Sequence, residues 1–199
     1  MAHKRIVVGS AGKCGSILLE YGLRAIRRFK KISAHEIYIM RTHTFRPKYI
    51  NTNPNTIACT TIRDLREIIA SMKRYVGNGN AYHPPRTSIY QECKKKIDLY
   101  YQWKEHSNFE FMYEEFIINK EKYIKQMFDV FNIEPTAEDI AYMMKHTEQS
   151  YKTPTHITNK EKKLITYKDT LTEAEIQEIY DFVEKENIDK DKFLYVDKL

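Results

Sequence analysis

Cysteine is scarce in this 199-residue chain, with Cys14, Cys59 and Cys93 as its three. They are far apart and odd in number, which excludes a disulfide framework and a zinc site built on cysteine pairs. Reduced thiols are the reading that remains. Long hydrophobic runs are lacking too: no stretch approaches the roughly 20 apolar residues that a membrane span needs. The opening "MAHKRIVVGS" has an apolar run too short for a signal peptide, and it ends in glycines rather than a cleavage site. The expectation is a cytoplasmic protein. Internal repeats and domain boundaries are absent as well, so one domain over residues 1–199 is expected.

Charge of one sign does not dominate either. The chain has 33 Lys and Arg against 27 Asp and Glu, a net charge of +6. Such an excess admits nucleic acid, an anionic polymer or a polyanionic small molecule as partner and does not choose among them. The densest basic run, "RAIRRFKK" at 24–31, reads as the solvated face of a helix. At 42% hydrophobic the chain can bury a core. Its 15 Tyr and 9 Phe read mostly as core, and the single tryptophan, Trp103, as packing for its helix.

What is present is an alternation of strands and helices. "KRIVVG" (4–9), "EIYIM" (36–40) and the β-branched "TIACTTI" (56–62) read as strands, and "FEFMY" (109–113) as a fourth. Helical spacing covers 14–30, the segment "DLREIIASMKRYV" from residue 64, and 88–106, 119–131 and 136–147. Thr172 followed by Glu175 is a capping box that opens a closing helix. "FRPKYINTNPNT", "GNGNAYHPPR" and most of 150–169 read as loops. Strands separated by helices predict an α/β fold, a single three-layer domain with a central parallel sheet of about four to five strands flanked by helices. Ligands of such sheets sit at the carboxyl ends of the strands, where the motifs of this chain fall.

The first motif is "VVGSAGKCGSILL", residues 7–19, a phosphate-binding loop after the first strand. Its glycines let the backbone turn tightly and aim consecutive N–H groups inward, and the helix that follows adds its positive end. Lys13 adds a mobile point charge. The loop is not the nucleoside triphosphate pattern G-x-x-x-x-G-K-[ST]: Val7 stands at the first glycine and Cys14 at the hydroxyl that holds magnesium. A thiol is a poor ligand for so hard a cation. The second motif is "TTIRDLREIIASMKRY", which puts Arg63 at a strand end and Ser71 about two turns into the next helix. A guanidinium fork and a hydroxyl there can hold a second phosphate. Arg66 and Arg74 read as added charge or as solvated side chains, and Asp64 as a cap.

Together these stretches resemble the sulfotransferase family that uses 3′-phosphoadenosine 5′-phosphosulfate. "AGKCGSILL" is similar to the family's P-K-S-G-T-T-W loop, with Gly12 for Pro, Cys14 for Ser and Ser16 for the first Thr. "IRDLREIIASMKRY" is similar to R-[DN]-P-[RK]-D-x-x-x-S, with Leu65 for the proline. "IMRTHTF" is similar to the K-[ST]-H element, giving His43 as base and Arg41 for the lysine. "FMYEEF" resembles the Y-E-D strand end, and "KHTEQSYK" the segment that reaches the nucleotide. "KEKKLITYKDTLT" resembles R-K-G-x-x-G-D-W-K-x-x-[FL]-T, with Tyr167 and Lys168 at W-K and Lys160 in place of the arginine.

The resemblance implies a transferase moving a sulfuryl group from that cofactor to a hydroxyl acceptor without a metal, leaving adenosine 3′,5′-bisphosphate. Gly12, Lys13, Cys14, Gly15, Ser16 and Ile17 would hold the 5′-phosphosulfate. Arg63, Ser71 and Lys160 would hold the 3′-phosphate, Tyr113 would lie near the adenine, and Thr147 would reach the nucleotide. His43 would take the acceptor's proton and Lys13 would neutralise the leaving oxygen. A carbohydrate is the favoured acceptor, nucleic acid is not an expected partner, and the oligomeric state stays open. The alternatives are a phosphate-loop small-molecule kinase and a non-enzymatic basic protein that binds a polyanion.

Overall fold

In the computed structural model, the described residues are 4–51, 53–77, 87–148 and 165–198. Four strands, β1 (Lys4–Ser10), β2 (Ile37–Thr42), β3 (Thr56–Ile62) and β4 (Phe109–Met112), form one all-parallel sheet in the order β2-β1-β3-β4. The central pair explains the sequence pattern. The last five residues of β1 and of β3 are all buried, as strands covered on both faces must be. The edge strand β2 instead alternates, with Ile37 and Ile39 buried and Tyr38 exposed.

Helices cover both faces. α1 (Ser16–Phe29), α5 (Tyr113–Ile118), α6 (Lys120–Asp129) and α7 (Ala137–Glu148) pack among themselves, with α1 against β1 and β2. α3 (Leu65–Gly77), α4 (Ile89–Lys104) and α8 (Glu173–Lys185) form the other layer, with α4 against β1 and β3. The result is the three-layer α/β arrangement expected. Four-residue helices α2 (Lys48–Asn51) and α9 (Lys190–Phe193) complete the described elements, with 3-10 turns at Tyr167–Asp169 and Tyr195–Lys198. Among the described residues no helix is long and apolar enough to cross a membrane.

The capping signals act where the sequence has them. Thr172 and Glu175 form the reciprocal box that opens α8, and Ser88 with Gln91 forms another at α4. Three readings need correction. The stretch 45–56 is not all loop, because the Pro47 carbonyl accepts both Ile50 and Asn51 N–H at 2.9 Å and starts α2. Strand β4 stops at Met112, and Tyr113 begins α5. The basic run of α1 is not merely a solvated face: Arg24 donates to Ile39 O at 2.9 Å and Arg27 to Ile37 O at 3.1 Å. Those carbonyls lie on the outer side of β2, which no other strand pairs among the described residues.

Arg66 is the other surprise, because it is neither solvated nor available. It is 0% exposed, bound in two places to Asp64 (3.0 and 2.6 Å), to Asp197 at 2.6 Å and to the Tyr180 hydroxyl at 2.7 Å. Burial acts to lower its pKa, but the hydrogen bonds and charge of Asp64 outweigh that and raise it. Asp64 does cap α3, accepting Arg66 N–H at 3.0 Å, and its second oxygen takes Val196 N–H at 3.1 Å. Residues 196–197 are thereby fastened to the start of α3.

Candidate anion-binding site

The chain reverses its direction of winding at β1: β2 lies on one side of it and β3 on the other. Such a switch point opens a crevice beyond the carboxyl ends of the two central strands. The register sets Ser10 beside Thr61, so the glycine loop after β1 and Arg63 after β3 become neighbours. An Arg63 guanidinium nitrogen donates to Lys13 O at 3.4 Å across the gap.

The loop itself is built from left-handed residues: Gly12, Lys13 and Gly15 have φ of 77°, 62° and 79°. Consecutive residues in that region turn their N–H groups into one concavity. Gly12 N–H is occupied by Ser10 Oγ at 2.9 Å. Among the described residues, the N–H groups of Lys13, Cys14, Gly15 and Ser16 meet no acceptor. Ser16 opens α1 directly behind them. Four open donors at a helix start are what an anion requires. Gly15 has no substitute here, because a Cβ on it would stand 2.8 Å from the Tyr113 ring, in a backbone region that side chains disfavour.

The side chains around the loop are cationic. Lys13 lies 3.6 Å from the Tyr75 ring centroid, and partial burial, then repulsion from Lys96, lower its pKa. Ser71 shares a face of α3 with Tyr75, one turn away. No bond joins Ser71 to Arg63 among the described residues. Cys14 is a buried thiol that donates to Gly12 O at 3.1 Å, and burial pushes it up to about 12. It is inert toward a metal in that state. Ile17 follows Ser16 in the first turn of α1.

His43 comes directly after β2 and turns back to the loop. Its Nδ1 is 3.4 Å from Ser10 O, and Arg41 lies 2.8 Å from its Nε2. Arg41 can only donate, so Nε2 is the acceptor and Nδ1 carries the proton. Packing of the ring against the loop, then the Arg41 charge, lower its pKa. The imidazole is therefore neutral near pH 7. Arg41 also pairs with Glu20 at 2.9 Å.

Arg63 is 8% exposed and enclosed by acids. It donates to Glu67 at 3.0 Å and forms an ion pair with Glu114 at 3.5 Å. Tyr113 lies with its ring 4.5 Å from the guanidinium, beneath the loop rather than at an open strand end. Glu114 is pushed up to about 7 by burial, against the opposing pull of Arg63, and one of its oxygens has no partner. Burial wins because the pair is long and lacks a hydrogen bond. Compared with protein-family models and with curated proteins, the chain matches none.

The site thus gathers Gly12, Lys13, Cys14, Gly15, Ser16, His43, Arg63 and Tyr113 around one crevice, with Ser71 on the adjoining helix face. Thr147 is not joined to it: its hydroxyl donates to Met143 and Met144 carbonyls of α7 at 2.9 and 3.1 Å. Lys160 lies outside the described residues, as do 78–86 and most of the polar stretch 150–169.

Three participants escaped the sequence reading. Glu114 reaches Arg63 only through the tertiary fold, whereas Glu67 meets it locally at i,i+4 spacing. Lys96 had a visible signal, because it interrupts the apolar stripe Cys93, Ile97, Tyr100 and Trp103 of α4, all buried. A lysine on a core stripe is an anomaly that invites an explanation.

Proposed function

We propose that the chain is a sulfotransferase acting on a hydroxyl acceptor, with 3′-phosphoadenosine 5′-phosphosulfate as donor. The observation that carries this reading is the row of open amides from Lys13 to Ser16, facing a crevice flanked by Lys13, His43 and Arg63. The donor supplies an activated sulfuryl group. The amides and the positive end of α1 hold its 5′-phosphate. Lys13 leaves the Tyr75 face and takes up the negative charge that grows on the bridging oxygen as the sulfur–oxygen bond breaks. His43, neutral near pH 7, accepts the acceptor's proton on Nε2 as the new oxygen–sulfur bond forms. That step requires Arg41 to release Nε2. Arg63, together with Ser71 from two turns into α3, takes the 3′-phosphate, which requires the guanidinium to turn from Glu114 and Glu67 toward the ligand. A carbohydrate acceptor is favoured, since a small basic domain can offer an open cleft to a bulky glycan.

Kinase chemistry of the phosphate-loop class fits less well. Its magnesium hydroxyl is replaced by a buried, protonated Cys14 whose S–H is turned to Gly12 O.

Thermal shift tests the reading. At a hundredfold excess over Kd a ligand stabilises by about 2.7 kcal/mol, or about 5 to 10 °C for a chain of this size. Adenosine 3′,5′-bisphosphate is expected to give that shift without metal, and ATP with Mg²⁺ much less. Equal shifts reject the assignment.

A further inference from the structure

Lys96 is carried on the helix layer opposite α1, yet its ammonium reaches over the sheet to the loop. Nζ donates to Ala11 O at 2.6 Å. It stands 3.7 Å from where a Cβ of Gly12 would be, with His43 Nδ1 at 3.8 Å from the same point. The side chain is 8% exposed. Among the described residues no carboxylate lies within ion-pair distance of it. One carbonyl uses one of its three N–H groups, and among the described residues the other two meet no acceptor. Lys96 also lines a small cavity with Ala11, Cys14, Thr61 and Arg63, and the buried Thr61 hydroxyl there has no partner.

A buried ammonium whose carboxylate neighbour, Glu92, stands beyond ion-pair distance is unfavourable unless an anion arrives to pair with it. Burial accordingly lowers its pKa, while its charge lowers those of Lys13 and His43. The lysine that the sulfotransferase resemblance expects two residues before His43 is Arg41, and Arg41 is already paired with Glu20 and engaged with His43. Lys96 is a second cation beside the loop, carried on α4.

We propose that Lys96 is a ligand-contacting residue which, with Lys13, clamps the phosphosulfate end of the nucleotide from the other side of Gly12. This inference rests on the reading given above in naming the ligand, but not in requiring an anion.

Lys96→Met and wild type are compared by isothermal titration with adenosine 3′,5′-bisphosphate and, separately, with inorganic pyrophosphate, and by thermal unfolding without ligand. A charge-assisted contact accounts for about 10- to 100-fold in affinity. Loss of that order, with an unfolding temperature equal to or above wild type, is the expected result, because the relief of a poorly paired buried charge offsets the donor lost by the Ala11 carbonyl. Affinity within twofold of wild type overturns the inference and leaves the sulfotransferase reading intact. A weakened affinity accompanied by a clear fall in unfolding temperature overturns it also, by assigning Lys96 to structure. If wild type does not bind the bisphosphate, that reading fails. Pyrophosphate then decides for Lys96: weaker binding by the variant upholds it, and equal or no binding overturns it. Should Lys96→Met not fold, Lys96→Gln takes its place in each measurement.

Discussion

Replacing Glu67 by glutamine changes one atom in the densest polar junction near the crevice. The carboxylate is fully buried. One oxygen accepts the backbone N–H groups of Thr166 and Tyr167, the latter at 2.8 Å. The other accepts the Thr166 hydroxyl at 2.6 Å and Arg63 at 3.0 Å. An amide must present NH₂ on one side. Facing Thr166 and Tyr167 it meets two N–H groups, and reversed it meets a guanidinium. Either orientation opposes buried donors and removes the negative charge beside Arg63. A lost charge-assisted bond contributes about 1.5–3 kcal/mol and an unsatisfied buried donor about 1–3, so about 3–5 kcal/mol is expected, in line with breaking a buried ion pair. At about 2–4 °C per kcal/mol for this size, Glu67→Gln unfolds about 6 to 20 °C below wild type by circular dichroism. Glu175→Gln, in the more accessible capping box of α8, serves as the mild control. A fall under about 2 °C refutes the account of this junction.

Three further outcomes follow from the geometry. Glu114 is held near 7 in the folded protein, above its ordinary value of 4.5, so the fold binds that proton more tightly than the unfolded chain. Its stabilising contribution, at most about 3 kcal/mol, is complete below about pH 4.5 and is lost as pH rises toward 7. Glu114→Gln keeps an acceptor for Asp64 N–H, so the gap in unfolding temperature between variant and wild type should widen in favour of the variant across that window; a constant gap refutes this. A Cβ on Gly9 would stand 2.0 Å from the fully buried Trp103 indole. Gly9→Ala should then cost about 3 kcal/mol in urea unfolding, much of it recovered in the double variant with Trp103→Phe, and simple additivity of the two changes would contradict it. His43→Ala should lower sulfuryl transfer about 10²- to 10⁴-fold with bisphosphate affinity held within about twofold, and ordinary turnover removes His43 as base.

The sheet was legible because its central strands carry unbroken β-branched and apolar runs, and the loop because glycines and a lysine stand between a strand and a helix. Thr172 and Glu175, three apart, marked α8 for the same local reason. Partners that meet only in the fold were not legible. Asp64 is a local partner of Arg66, but Asp197 and Tyr180, which complete its enclosure, come from the far end of the chain and mark nothing in the local sequence. Arg63 reads as a free phosphate ligand until Glu114 arrives from α5, although Glu67, four residues on, is within helical reach of it. Tyr113 was expected at a strand end near the adenine; it begins a helix instead, against Gly15 and Arg63. Lys96 too carries a local mark, its place on an apolar stripe of α4.

The two guanidiniums that sit on the outer carbonyls of β2 have a bearing on how copies of this chain behave when crowded. A row of vacant acceptors on a terminal strand invites a stranger's backbone to dock and the sheet to grow from molecule to molecule. Arg24 and Arg27 already fill those positions at Ile39 and Ile37, so recruitment there must first evict them. Substituting both would bare those carbonyls to another chain's backbone.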